Sequence, residues 1–192
     1  MNKAAFIVKM SFPLIGLGIL LSSFAYIPVL RALIGIDETI SISFSVTITT
    51  LVGGYMAALA GFITWFRLIA IKPVQYQQGS NSSLRKPHLI GLSLLIPIPF
   101  ISCLLLGWFW QKDRKFNPSL NETYRETANF HLSVHLYLLI SFFLMPIVIG
   151  FVMLALLLTT YFLTTIYHCL IKPKLDSISR YPINIQIAVK PT

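Results

Sequence analysis

In the stretch "ETANFHLSVHLYLLISFFLMPIVIG", His131 and His135 stand four residues apart. On a helix that spacing puts both imidazoles on one face. Two neutral imidazoles so placed could hold a zinc ion or a haem iron between them. Glu126 lies just before the pair, and His88 could approach from another segment. Metal centres ordinarily take three or four protein ligands, and this spacing supplies two. The bland expectation is therefore the stronger. Asn129, His131, Ser133 and His135 form a polar stripe at a membrane surface, hydrogen-bonded to headgroups or to neighbouring helices, with no cofactor. Cys103 and Cys169 lack any CxxC spacing and read as small buried apolar side chains.

Other chemistry is scarce. The six acidic residues, Asp37, Glu38, Asp113, Glu122, Glu126 and Asp176, fall outside the apolar runs or at their ends. A proton-coupled transporter needs an ionisable relay inside the membrane, and none of these carboxylates is placed to provide it. No GxSxG, HExxH or phosphate-cradling glycine loop is present. The expectation is a protein that is not an enzyme.

The elements that must carry these residues are membrane helices. Of the 192 residues, 56% are hydrophobic and 11% charged, against about 25% charged in a soluble domain. Four charge-free runs cover residues 10–30, 39–66, 87–111 and 127–171. About 20 helical residues cross a hydrocarbon core about 30 Å thick, so each of the first three runs fits one crossing. The last would be roughly 68 Å long as a single helix, too long even with strong tilt. Two crossings with a tight turn near Pro146 and Gly150 fit it better. The expected fold is an all-α polytopic transmembrane helical bundle of about five spans, the last two a tight hairpin. A signal peptide competes for the first run, since Ser23 and Ala25 sit at cleavage-site positions, but apolar residues continue past them.

Charge sets the orientation. The net charge of +9 comes from 15 Lys and Arg against 6 Asp and Glu. No nucleic-acid module accompanies it, so the basic residues point to anionic headgroups, not to nucleic acid. With five spans and the N-terminus inside, Lys3, Lys9, Arg67, Lys72, Arg85 and Lys86 are internal, leaving nine of the 15 outside. The positive-inside rule then favours the N-terminus out and the C-terminus in, although Lys3 and Lys9 pull the first span the other way.

Packing signals lie in the middle of the chain. Gly53, Ala57 and Gly61 recur every four residues, with Gly54 and Ala58 beside them, a spacing that lets helix backbones approach in lipid. Pro97 and Pro99 interrupt the third run, and Trp108 and Trp110 end it at interfacial depth. Ser119 and Glu122 have capping-box spacing behind Pro118. In the tail, Tyr181 leads into Ile183, Ile185 and Ile187, which alternate with polar or small residues. A lone strand has no sheet of its own, so this tail is expected to pair with a partner chain or to stay disordered.

The motifs "HLIGLSLLIPIPF", "LLGWFWQKD", "ETANFHLSVHLY" and "SRYPINIQI" occur in that order. Over residues of about 88–187 the chain thereby resembles a widespread family of small bacterial membrane proteins classed as a domain of unknown function. That family is distantly similar to the Tic import channel subunit of the chloroplast envelope. The chain departs from it at His131, where Gln is common, and in its two extra N-terminal spans. The resemblance implies architecture and carries no residue with a chemical role. It divides the chain into residues 1–86 (two N-terminal spans and a polar linker), 87–175 (a three-span family-like domain) and 176–192 (the tail). The functional expectation is an accessory or assembly subunit of a larger membrane complex in the bacterial inner membrane. Its expected partners are membrane lipids and other membrane subunits or further copies of itself. A Tic-like translocation pore and a haem or metal subunit using His131 and His135 are the alternatives.

Overall fold

The computed structural model describes residues 13, 15–21, 44–75, 84, 86–95, 100–116, 118–170, 181 and 184–186. From residue 44 onwards the described residues form α1 (Phe44–Ile71), α2 (Lys86–Gly91), α3 (Ile101–Asp113), α4 (Pro118–Leu144) and α5 (Ile149–Leu170). A 3-10 turn, Leu92–Leu95, follows α2, and another, Met145–Ile147, joins α4 to α5. Residues 15–21 are also helical, and there is no strand among the described residues. The all-α helical bundle expected from composition is the fold. Among the described residues three helical stretches, Ile48–Ile71, Pro118–Ile147 and Ile149–Leu170, are long and apolar enough to cross a membrane. The chain is a membrane protein.

The chain clusters into two compact units, residues 1–65 with 97–100, and residues 66–96 with 101–192. In the first unit the small-residue stripe makes a backbone contact, though not at Gly53. A Cβ on Gly18 would come 2.7 Å from the Gly54 carbonyl oxygen and 2.8 Å from the Ala58 Cα, so only glycine fits there. Gly53 is exposed, with nothing within 4 Å of where its Cβ would be, and Ala57 is half-buried. Successive residues on a helix turn about 100°, so a register one residue later faces a different neighbour. Gly61 is buried, and the same unit stacks Phe62 on Phe100 at 5.3 Å between ring centroids.

In the second unit α1 ends before Pro73, which disfavours helical geometry at Lys72. Its last carbonyls are capped from a distant segment: the buried Arg114 guanidinium donates to the Ile69 oxygen and, at 3.2 Å, to that of Lys72. The third apolar run is not one helix. Lys86, where it begins, bonds Asp113, where it ends, at 2.6 Å. A single crossing would hold those residues roughly a membrane thickness apart. Instead the run goes out through α2 and its 3-10 turn and comes back as α3, packed against α2.

Then α4 opens at Pro118, a residue preorganised for the first helical turn. Glu122 pairs with Arg125, three residues on, instead of reaching back as a capping box would. Hydroxyls within the apolar helix are satisfied by carbonyls one turn earlier: Thr123 donates to Ser119, Thr127 to Thr123 and Ser133 to Asn129, each at 2.8 Å. The expected hairpin forms, with α4 and α5 packed on each other and Pro146 in the turn between them. Val148 takes the positive φ there (67°), and its N–H bonds the Met145 carbonyl at 2.9 Å. Gly150 serves the close approach instead. A Cβ on it would overlap the Ser141 carbonyl and lie 2.5 Å from the Leu144 carbonyl carbon.

Candidate functional site

From Glu126 to His135 every residue of α4 is buried, so the helix is enclosed on all sides there. Asn129, His131, Ser133 and His135 are all buried within the protein, His131 being 1% exposed. They therefore meet neighbouring helices, not headgroups. The His131 ring stands edge-on to Tyr161 of α5, with centroids 5.6 Å apart at 81°. Opposite it lies Gly91, the last residue of α2, where a Cβ would come 3.0 Å from His131 Nε2. Tyr161 donates its hydroxyl to the Gly91 carbonyl, a group left over where the helical ladder breaks into the 3-10 turn. Glycine at 91 thus lets the broken element press directly on the histidine. Nδ1 of His131 is buried without a hydrogen-bond partner.

His88 joins a different group. Its Nδ1 shares a hydrogen bond with the Tyr181 hydroxyl, and its ring lies 5.4 Å from His168 of α5. Tyr181 is sandwiched between Phe130 (centroids 4.3 Å, 12°) and His168 (4.1 Å, 22°). Nδ1 of His168 lies 2.8 Å from the Thr164 carbonyl, and since a carbonyl only accepts, that nitrogen carries the proton. Burial pushes the Tyr181 phenol well above its ordinary range, so it stays protonated. Phe130, Val134, Tyr161 and Tyr181 form one apolar cluster around this polar seam. Among the described residues no three His, Cys, Asp or Glu side chains come together as a metal site would require.

The tail residues are divided by position. Tyr181 is buried in the core, while Ile185 is partly exposed and donates its backbone N–H to Ser133 Oγ at 2.9 Å. Asn184 adds a bond from Nδ2 to Glu126 Oε2, also at 2.9 Å. Ile183 and Ile187 lie outside the described residues. The described part of the tail thus bonds to its own α4. Sequence reasoning did not single out Tyr161, His168 or Gly91. The signal for them was slight: each lies in a charge-free run, and Tyr161 and His168 stand in a stretch rich in Thr and Tyr.

The matched region coincides with this core. The model of the MamF_MmsF family, described as a magnetosome magnetite crystal formation protein family, matches residues 86–188, more than half of the chain. The chain belongs to the MamF_MmsF family. The match starts at Lys86, the residue that bonds Asp113, and runs past Tyr181, so the returning run, the hairpin and the docked tail fall within it. No link to the chloroplast Tic subunit comes with it. No curated protein and no solved structure matches the chain.

Proposed function

We propose that this protein is a non-enzymatic accessory or assembly subunit of a larger membrane complex in the bacterial inner membrane. The observation that carries the reading is the outward face of α5. Its most apolar window is 17% buried within the chain, against 44% for each of the other two spans. On that face Ala155 and Thr159, four residues apart, are both exposed among Leu156, Phe162 and Leu163. Small residues at this spacing allow close helix contact, and packing is what drives association in lipid. The exposed Gly53 on α1 offers the same kind of surface. The family description speaks of magnetite crystal formation. On this reading the chain supports such a process through its membrane contacts. The described carboxylates favour that over direct mineral binding, because Asp113 is held by Lys86 and Tyr124, Glu122 by Arg125 and Glu126 by Asn184.

Single cysteines at positions 155, 159 and 161, cross-linked in native membranes, test this. Discrete protein adducts are expected from 155 and 159 and not from 161, whose side chain is buried. Labelling of 155 and 159 by lipid-borne probes alone would show that the face meets only lipid.

The broken segment from Lys86 to Asp113 favours a second reading, a Tic-like translocation pore, because interrupted helices line substrate paths in transporters. Against it, the carbonyl exposed at Gly91 is closed off by Tyr161.

A further inference from the structure

The bond between Lys86 and Asp113 has a consequence for the membrane. Six residues of α2 with four of 3-10 helix reach roughly 17 Å, and the 13 residues of α3 reach roughly 20 Å. Neither crosses a core about 30 Å thick. Arg114, just after α3, caps the C-terminal end of α1, so α1 ends on the side to which α3 returns. Tyr124 near the start of α4 bonds Asp113, and His168 near the end of α5 lies beside His88. The ends of α1, α3 and α5 and the starts of α2 and α4 therefore gather on one side.

We infer that residues 86–113 are a re-entrant hairpin, leaving the membrane on the side they entered, and that the basic collar so formed, with Lys72, Lys112 and Lys115, binds the phosphates of anionic lipids in the cytoplasmic leaflet. Every Lys and Arg from Arg67 to Lys190 belongs to a segment that starts or finishes at this side, because the turn between α4 and α5 carries no charge. The segment before α1, at the other end of that helix, holds Arg31 with Asp37 and Glu38. Such a one-sided distribution makes the collar side cytoplasmic. It replaces the near-even division of charge that a crossing at 87–111 imposes.

Lys72, Lys112 and Lys115 are exposed, whereas Lys86 is engaged by Asp113. Trp108, 70% exposed, lies one turn before Lys112 on the same face of α3. Tryptophan settles at the boundary between hydrocarbon and headgroup, which puts the Lys112 ammonium at phosphate depth. Non-helical backbone at membrane depth is tolerated where protein covers it, and the Tyr161 bond covers the Gly91 carbonyl in this way.

Two measurements on the full chain test the two parts. Cysteines at 72, 112 and 147 are probed with an impermeant maleimide in right-side-out and inverted vesicles. Positions 72 and 112 should react from the cytoplasmic side and 147 from the other; reaction of 72 and 112 from opposite sides overturns the hairpin. For the lipid site, the thermal midpoints of wild type and of K72Q/K112Q/K115Q are compared in phosphatidylcholine nanodiscs with and without phosphatidylglycerol. The wild type should gain stability with phosphatidylglycerol, and the triple variant should lose at least half of that gain. An equal gain in the variant overturns the lipid site with the hairpin intact. A gain reproduced by inorganic phosphate in phosphatidylcholine alone assigns the collar to a soluble anion and likewise overturns it.

Discussion

Tyr181 and Gly91 fix the core of the family-matched region through opposite means, one by filling it and the other by leaving room. Tyr181 places a phenol between Phe130 and His168 and bonds His88. Tyr181→Phe keeps the stacking and removes the buried hydroxyl bond to His88, for an expected loss of about 1–3 kcal/mol in detergent unfolding. Tyr181→Ala also opens a cavity and should lose about 3–5 kcal/mol, as large-to-small aromatic changes do. If the two variants unfold alike, the stacking contributes nothing. At Gly91 a Cβ meets His131 Nε2 at 3.0 Å and Thr165 at 3.6 Å, so the ring must give way slightly. Gly91→Ala should cost about 1 kcal/mol or more, since overpacking a core usually costs 1–3 kcal/mol. The paired change His131→Ala with His135→Ala should leave the visible absorption spectrum unchanged. A haem band lost in that variant would make the pair ligands.

At the scale of elements, the two hairpins differ in how much of them could be anticipated. The α4–α5 hairpin follows from arithmetic: a charge-free run of this length must turn, and Pro146 marks where. Which residue bears each burden was not readable, because Val148 takes the left-handed backbone and Gly150 the close approach. Gly150→Ala would drive a Cβ into the α4 backbone, which cannot yield as a side chain can. The expected result is a loss above about 2 kcal/mol, near the upper range for overpacking, with Gly53→Ala close to neutral. Equal effects at the two glycines would contradict the contacts. The returning run 86–113 was not anticipated, since its composition and length suit a single crossing as well as two half-crossings. What separates them is the ion pair between Lys86 and Asp113, 27 positions apart, together with the packing of α3 on α2.

For the whole molecule, the tail decides how the family-matched region closes. Alternating isoleucines suggested a strand awaiting a partner, but Tyr181, Asn184 and Ile185 are bonded to α2 and α4 of the same chain. Truncation after residue 180 should therefore lower the thermal midpoint of the purified protein by at least as much as Tyr181→Ala. An unchanged midpoint would mean that the tail leaves the core freely. The class of molecule was legible from composition: the apolar runs, the scarcity of charge and the length of the last run admit only a membrane bundle ending in a hairpin. Those features are local sums along the chain, and transfer into lipid responds to such sums. Tertiary structure alone decided that His88 pairs with Tyr181 instead of His131, that Arg114 caps α1, and that the third run comes back to the side it left. Each depends on residues far apart in sequence that share a buried polar partner. In lipid a buried polar group is costly unless it finds such a partner within the protein, and spacing along the chain does not say which one it finds.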